Sequence, residues 1–320
     1  MIRMLVPALL VALSWSQFAS AEDKNTDLAL DPAKAGPDFA IQGEYEAAPA
    51  DKLGVQVIAL GGGTFRVCIE AGGLPGAGWD GMGKVQLEGK AEGGKVAVNG
   101  KGWNLTLDDG GVTAIDDTDK RTVQLKKVLR QSPTMGAKPP EGAIVLFDGS
   151  NVDAWNGSMD DRKLLKYGAT TKQKFGSFTL HLEFILPFKP YGRGQDRGNS
   201  GLYLQERYEC QVLDSFGLNG ENNECGGIYT IAKPQVNMCF PPLSWQTYDV
   251  DFTAAAWADG KKTANAKVTI RHNGVVIHQD QELPKPTGGG KPESAEPGGL
   301  HLQDHGNPTF YRNIWLLEKK

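Results

Sequence analysis

The sequence contains few of the features that mark membrane, nucleic-acid-binding or metal-binding proteins. Beyond residue 21, no apolar run reaches the length that spans a bilayer. Lysine and arginine form no cluster, and the formal net charge is −4, so nothing favours a nucleic-acid partner. The four cysteines include no CxxC spacing and no Cys/His cluster, which argues against a zinc site. We therefore predict a protein with no membrane span and no nucleic-acid partner.

The first 21 residues have the three parts of a cleaved export signal. Arg3 supplies a positive charge, residues 5–13 are a short apolar run, and residues 19–21 (Ala-Ser-Ala) are a small-x-small cleavage site. We therefore predict export to the periplasm or the extracellular space, with a mature chain that begins near Glu22.

Helix-period patterns are also scarce, whereas short alternating runs between glycines are frequent. The chain has 41 glycines, and this pattern is typical of an all-β protein. Shifts in composition divide the chain into five segments. These are a signal peptide at 1–21, a flexible leader at 22–42, a small antiparallel β-meander at 43–131, a Pro/Gly linker at 132–142 and a β-sandwich at 143–320.

The two predicted β-domains differ in their strand patterns. In the first, three Gly-rich hairpins follow one another, and its small size suggests an accessory role in binding or positioning. The second has about ten strands in ~180 residues, which is typical of a two-sheet jelly-roll sandwich of this size. It includes a long alternating strand at 175–187 and a His-Asn-Gly hairpin signal at 272–274.

Period-2 alternation divides the strand at 208–214 into two faces. Cys210 and Val212 fall on one face, which we interpret as the core. Glu209 and Gln211 then point to the opposite face, which on the curved sheet of a sandwich lines a groove.

Other strands carry polar side chains on their non-core faces in the same way. If these strands are neighbours of the Glu209 strand, carboxylates, imidazoles and amides converge on one concave surface, where general acid–base catalysis can take place. The alternative is a solvent-exposed sheet face with ordinary polar residues. The side chains expected to join Glu209 and Gln211 are His181, Glu183, His301 and Gln303.

Loops add further candidates around the expected groove. Asn199 directly precedes a strand, which would hold its side chain at the groove edge, and the long loop at 215–245 contributes Lys233 and Asn237. Aromatic side chains can stack on a sugar ring, although in a β-protein a tryptophan commonly lies in the core. The candidate platforms are Trp155, Tyr229 and Trp245.

The segment at 214–224 is rich in side-chain oxygens that could bind a divalent metal such as Ca²⁺. It lacks the spacing of an EF-hand loop, so the sequence leaves both the presence and the identity of a metal open.

The cysteines fall into two groups. Cys225 and Cys239 lie in irregular sequence 14 residues apart, and a disulfide between them would close one long loop in an exported protein. Cys68 and Cys210 lie in alternating strands and are expected to be buried free thiols.

Seven short motifs follow one another along the second domain. They are Leu-Phe-Asp-Gly at 146–149, Gly-Asn-Ser-Gly at 198–201, Tyr-Glu-Cys-Gln-Val-Leu-Asp at 208–214, Trp-Gln-Thr-Tyr at 245–248, His-Asn-Gly at 272–274, Leu-Gln-Asp-His-Gly at 302–306 and Tyr-Arg-Asn-Ile at 311–314. Together they resemble the 3-keto-disaccharide hydrolase family, whose fold is a concanavalin A-like jelly roll. The resemblance covers about residues 142–319.

The resemblance implies cleavage of 3-keto-glycosides, by hydrolysis or by elimination followed by hydration. A ketone at C3 acidifies the C2 proton, so a base can remove this proton while a general acid assists departure of the C1 oxygen. On this basis we assign Glu183 and Glu209 to the acid–base pair, with His305 as a further acid or base. Lys233 or a bound divalent metal would stabilise the enolate. The residues expected to bind the substrate are Asn199, Gln211, Tyr229, Lys233, Asn237, His301 and Gln303.

Two other functions fit the same fold. Sandwiches of this type also form carbohydrate-binding lectin modules, and the extra β-domain and the export signal fit a surface structural protein. A lectin needs aromatic platforms and few acids. The predicted placement of Glu183, Glu209 and His301 on the groove face therefore favours an enzyme acting on an oligosaccharide or glycoside.

Overall fold

The computed structural model describes residues 28–108 and 110–319, so the predicted export signal lies outside the described residues. The described chain is nearly all β-structure, and the sheets are antiparallel, which confirms the predicted fold class. The helical segments are one α-helix, Pro37–Ile41, and two 3₁₀ turns, Pro32–Lys34 and Gly194–Asp196. No helix in these ranges is long and apolar enough to cross a membrane.

The first eight strands form a closed antiparallel barrel. Each strand pairs with the next, and β1 also pairs with β8, with Glu44 opposite Val128, so no open edge remains. The strands β1 to β8 are Gly43–Ala47, Leu53–Gly61, Thr64–Ala71, Val85–Glu92, Lys95–Gly100, Trp103–Asp108, Gly111–Asp116 and Thr122–Val128.

Strand β2 is buried on both faces, which explains its nearly continuous apolar sequence. Val55, Val57 and Ala59 fill the barrel interior. Ile58 and Leu60 point outward and belong to the core of the second domain. The barrel and the sandwich therefore share an apolar interface, and the barrel is not a loosely tethered appendage.

The remaining strands form a two-sheet sandwich. The smaller sheet has the order β10-β12-β21-β14-β15; the larger has the order β11-β22-β13-β16-β19-β20, with β9 on β22, and β17 and β18 form a separate hairpin. Strands β9 to β15 are Ile144–Phe147, Trp155–Asn156, Leu165–Lys166, Ala169–Thr171, Phe178–Ile185, Ser200–Leu204 and Tyr208–Val212. Strands β16 to β22 are Trp245–Thr253, Ala256–Ala258, Lys261–Ala264, Ala266–His272, Val275–Leu283, His301–Leu302 and Phe310–Glu318.

The leader, predicted to be flexible, and the Pro/Gly linker are both hydrogen-bonded to the rest of the chain where the structure describes them. Ala29 exchanges two backbone hydrogen bonds with Phe188, at 2.9 and 3.0 Å. The Phe39 ring packs edge-on against Phe188, with 5.3 Å between the ring centres. The linker lies on the outer face of the larger sheet, where the Gly136 N–H donates to Glu183 at 2.6 Å. Proline and glycine therefore set the backbone path of these segments, and hydrogen bonds hold the segments against the fold.

Candidate active site

A cavity of about 200 Å³ opens on the polar face of the smaller sheet. The sheet contributes Tyr203, Glu209, Gln211 and, just beyond β21, Gln303. Loops contribute Gln195, Asn199, Tyr229, Gly288, Gly289 and His305. Among these lining residues, Glu209 has the one carboxylate, and none is lysine or arginine.

Strand alternation places Glu209 and Gln211 on the face that the sequence predicts. Cys210 and Val212 are completely buried in the core between the sheets. Glu209 and Gln211 therefore face the cavity. Tyr203 on β14 lies directly opposite Glu209 on β15, so both side chains project from the same side of the sheet.

The Glu209 carboxyl group is buried, and its surroundings favour the protonated form. Burial raises its pKa to about 7, and a hydrogen bond from the Tyr203 hydroxyl only partly opposes this shift. Gly201 makes room for the carboxyl group, because a Cβ at this position would overlap Glu209 Oε1. A carboxyl group with a pKa near neutrality can serve as a general acid or a general base.

The Tyr203 hydroxyl joins three polar groups. Its oxygen lies 2.9 Å from Glu209 Oε2, 2.9 Å from the Gly288 carbonyl oxygen and 3.2 Å from Gln303 Nε2. A tyrosine has one hydroxyl proton, and a carbonyl oxygen can only accept. When Glu209 is ionised, the Tyr203 proton goes to its carboxylate and the Gly288 carbonyl loses this donor. When Glu209 is neutral, it donates its own proton to Tyr203, Tyr203 donates to Gly288, and all three hydrogen bonds form together. The geometry therefore fits a neutral Glu209.

The loop that connects β20 with β21 forms one wall of the cavity. Thr287 fixes it to β15, because its N–H donates to the Arg207 carbonyl at 3.0 Å and its Oγ1 accepts from the Glu209 N–H at 2.9 Å. Gly289 has a φ of +75°, and a Cβ there would lie 3.0 Å from the Tyr203 hydroxyl oxygen. Glycine at 289 therefore permits both the turn and its close approach to Tyr203.

A second loop of the lining, which contains Gln195 and Asn199, is fixed by a buried ion pair. Arg197 Nε donates to Asp214 Oδ2 at 2.6 Å. The same guanidinium group donates to the Ala59 carbonyl of β2 at 3.1 Å. The barrel therefore contacts the loop that carries part of the cavity lining.

Tyr229 and His305 complete the lining. The Tyr229 N–H donates to the Glu209 carbonyl at 3.1 Å, which holds the aromatic side chain beside β15. His305 is exposed at the mouth, in a turn where Asp304 Oδ1 accepts from the Gly306 N–H at 2.9 Å. Asp304 therefore shapes the turn, and His305 is one of the residues that line the cavity.

Residues 142–317 match the family described as the 3-keto-alpha-glucoside-1,2-lyase-like domain, which is also named 3-keto-disaccharide hydrolase. The chain belongs to this family. The match covers more than half of the sequence and confirms the resemblance carried by the seven motifs. No curated protein matches the chain.

Solved structures from Parabacteroides distasonis ATCC 8503 provide a second comparison. One candidate glycosyl hydrolase is 33% identical, with a TM-score of 0.51, over 56% of this chain and 85% of its own. Another is 19% identical, with a TM-score of 0.39, over 60% of this chain and 99% of its own. The family match and the first structure together support a carbohydrate-active enzyme of the glycosyl hydrolase type.

Glu183, which the sequence pairs with Glu209, is not in the cavity. It lies on β13 in the larger sheet, under the linker. Alternation correctly predicts its non-core face but does not specify its sheet, because strand pairing is set by contacts distant in sequence. The expectation that the two carboxylates share one concave surface is therefore wrong.

The surroundings of Glu183 explain what it does instead. Its carboxylate accepts from Gly136 N–H at 2.6 Å, Arg312 Nε at 2.7 Å and Asn313 Nδ2 at 2.9 Å. Burial by itself raises the pKa of Glu183, but hydrogen bonds from His181 and these three donors outweigh it and lower the pKa to about 2. Glu183 is therefore ionised at neutral pH and connects the linker to the sheet.

Three predicted substrate-binding residues also lie outside the cavity lining. Lys233 is exposed and is not among the lining residues. The Asn237 Nδ2 donates to the carbonyls of Ser215 and Leu218, at 2.7 and 3.0 Å, so it braces its own loop. His301 lies beside Tyr203, with 5.6 Å between the ring centres, but its Nδ1 is engaged with Thr170 Oγ1 at 2.8 Å. Burial lowers the pKa of His301.

The predicted disulfide is wrong. All four cysteines are buried free thiols, so a bond between Cys225 and Cys239 is absent from the described chain.

Two of the three candidate sugar-stacking platforms are engaged elsewhere. Trp155 is a core residue, and its Nε1 donates to the Leu146 carbonyl at 2.9 Å. Trp245 stacks under the Arg312 guanidinium group, 3.8 Å from the ring centre. Of the three candidate platforms, Tyr229 lines the cavity.

No cluster of three or more His, Cys, Asp or Glu side chains is arranged to hold a metal ion within residues 28–108 and 110–319. In the oxygen-rich segment, Asp214 pairs with Arg197, and Glu224 Oε2 accepts the N–H groups of Gly220 and Glu221, at 2.7 and 3.0 Å. The carboxylates of Asp214 and Glu224 therefore bind groups of the protein in place of a metal ion.

The sequence interpretation missed Tyr203, Gln195 and the two glycines of the loop wall. Tyr203 could have been found, because it alternates with the core residues Leu202 and Leu204. Gln195 and Gly288 lie in irregular segments, where no periodic signal indicates which way a residue faces.

Proposed function

We propose that this chain is an exported enzyme that cleaves the glycosidic bond of 3-keto-glycosides, including 3-keto-disaccharides. The observation that supports this most directly is the buried Glu209 carboxyl group, hydrogen-bonded to Tyr203 in a cavity large enough for one sugar ring. Family membership supports the substrate class, and the sequence of the first 21 residues supports export.

In the proposed reaction, His305 removes the C2 proton, which the neighbouring C3 ketone acidifies. A C1–C2 double bond forms, and the C1–O bond breaks with its electron pair moving to the leaving oxygen. Glu209 donates its proton to that oxygen. The negative charge that develops on the ketone oxygen is stabilised by hydrogen bonds, for which Tyr229 and the protonated His305 are the available donors. Water then adds to the unsaturated sugar.

The number of carboxylates in the cavity supports elimination over direct hydrolysis. Glycosidases that hydrolyse unactivated glycosides ordinarily use two carboxylic residues, about 5–9.5 Å apart across the scissile bond. Glu209 is the one carboxylate among the described lining residues, and Glu183 is fully engaged on the other sheet. A ketone that acidifies the C2 proton removes the need for a second carboxylate.

The proposal is tested by incubating the purified protein with 3-keto-trehalose or 3-keto-sucrose and, separately, with the unoxidised disaccharide. We expect release of free sugar from the keto forms alone. In deuterium oxide, the keto-sugar product should carry deuterium at C2. Release without deuterium would replace elimination with hydrolysis, and no release from any substrate would overturn the enzymatic function. A glycan array would then separate a lectin from a structural protein.

A further inference from the structure

Two buried amide oxygens at the cavity have no hydrogen-bond donor within the described chain. They are Asn199 Oδ1 and Gln303 Oε1, and Asn199 as a whole is only 1% exposed. Buried polar atoms in native proteins are nearly always hydrogen-bonded, because an unpaired one has lost water without compensation. Two such acceptors at one cavity therefore indicate a ligand that brings donors.

Contacts with the backbone fix the orientation of the Asn199 amide. The Val212 N–H donates to Gln211 Oε1 at 3.1 Å, which turns Gln211 Nε2 toward Gln195 Oε1 at 3.0 Å. Gln195 Nε2 in turn donates to the Asn223 carbonyl at 2.8 Å. Asn199 Nδ2 must then donate to Gln195 Oε1, at 3.1 Å. Turning the Asn199 amide over would bring two oxygens together, so Oδ1 is the atom left without a donor.

The orientation of the Gln303 amide is fixed by the Tyr203 hydroxyl group and the Gly288 carbonyl. The Gly288 carbonyl accepts the Tyr203 hydroxyl proton, so the Tyr203 oxygen is available to accept from Gln303 Nε2. Gln303 Oε1 is thereby left without a donor.

We propose that Asn199 Oδ1 and Gln303 Oε1 are a hydroxyl-recognition pair, which accepts hydrogen bonds from two hydroxyl groups of a neutral, polyhydroxylated sugar ring. A carbonyl oxygen cannot donate to either atom, so the C3 ketone faces Tyr229 and His305. Sugar acids and sugar phosphates are rejected. The two acceptor oxygens repel an anionic group, and no lysine or arginine among the lining residues would compensate its charge. The ketone's placement rests on the proposed function; the hydroxyl recognition does not.

The test measures binding of an unreactive ring and its single-deoxy forms. The probes are methyl α-glucopyranoside and its 2-, 4- and 6-deoxy analogues, with the dissociation constant obtained by NMR titration. We expect two of the analogues to bind roughly tenfold or more weakly than the parent, since each leaves one buried acceptor unpaired. Methyl glucuronide and glucose 6-phosphate should also bind at least tenfold more weakly than the parent.

Variants then assign each hydroxyl to its acceptor. Asn199→Leu should abolish the penalty for one analogue, Gln303→Met should abolish it for the other, and Gln173→Met, at an exposed position, should leave both penalties intact. The acceptors lie on separate segments, so either variant decides the assignment if the other does not fold.

Three results would overturn the inference. These are no measurable binding of the parent ring, equal binding of all the deoxy analogues, or penalties that persist in both variants. Because the readout is binding and not turnover, failure of the keto-glycoside reaction leaves this test unaffected.

Discussion

Gly201 on β14 lies diagonally across from Glu209 on β15, and the space left by the missing Gly201 side chain holds the Glu209 carboxyl group. A Cβ at position 201 would overlap Glu209 Oε1, whereas the φ of Gly201 lies outside the left-handed region, so the backbone itself accepts alanine without strain. An added methyl group is therefore expected to displace the carboxyl group without breaking the sheet.

Gly201→Ala should lower kcat by about 100-fold on a 3-keto-disaccharide, because even a small misplacement of a catalytic group can cost this much. The thermal unfolding temperature should change little. Gly176→Ala is the matched control, since no atom lies within 4 Å of its added Cβ and its backbone is also unstrained. Equal turnover by the two variants would remove Glu209 from the reaction.

The pH dependence of turnover should follow the protonation of Glu209. A general acid must carry its proton, and burial raises the Glu209 pKa to about 7, so kcat should fall as the pH rises through this value. In Tyr203→Phe the fall should move to higher pH, because the hydroxyl group stabilises the ionised carboxylate and holds the pKa down. Profiles of kcat against pH for the two proteins test this. A fall that moves to lower pH in the variant would contradict the assignment.

Glu183→Gln should weaken the fold and leave the chemistry unchanged. Its pKa is lowered from 4.5 to about 2 in the folded state, which corresponds to about 3 kcal/mol of stability. Because the folded-state pKa is depressed, this contribution is present above the unfolded-state value and is lost as the pH falls through the folded-state value. Urea midpoints of the two proteins should therefore differ clearly near pH 7 and converge by about pH 2. If the difference between the two urea midpoints stayed constant with pH, ionisation of Glu183 would not be the cause of the stability difference.

Thiol titration tests the state of the cysteines. All four are buried free thiols, so a thiol reagent should react with four groups in denaturant without reductant and with almost none in the native protein. Two reactive groups in denaturant would indicate a disulfide.

Much of the site could be predicted because alternation reports which face a side chain occupies. Glu209 and Gln303 each come directly after a buried residue in the sequence, and the structure places both at the cavity. The same rule gave the correct face for Glu183 but could not reveal that β13 belongs to the other sheet. Sheet membership depends on pairs such as Glu183 with Arg312, 129 residues apart, for which the sequence has no local signal.

The closure of the barrel likewise could not be predicted from local sequence patterns. Its hairpins are local and were predicted from their glycines, but its closure depends on pairing between β1 and β8, which no turn motif encodes. Loop residues such as Gln195 acquire their role only through contacts with distant backbone groups, here the Asn223 carbonyl.

On this mechanism, Glu209 in the smaller sheet is the catalytic acid, and Glu183 in the larger sheet is structural. This assignment is tested most directly by comparing turnover of 3-keto-trehalose by the wild type, Glu209→Gln and Glu183→Gln, with the folded fraction of each measured by circular dichroism. We predict that Glu209→Gln loses at least 100-fold in kcat while it remains folded, as expected for loss of a general acid. Glu183→Gln should have the wild-type kcat when turnover is calculated per folded molecule. Wild-type turnover by Glu209→Gln, or loss of turnover by folded Glu183→Gln, would contradict this assignment.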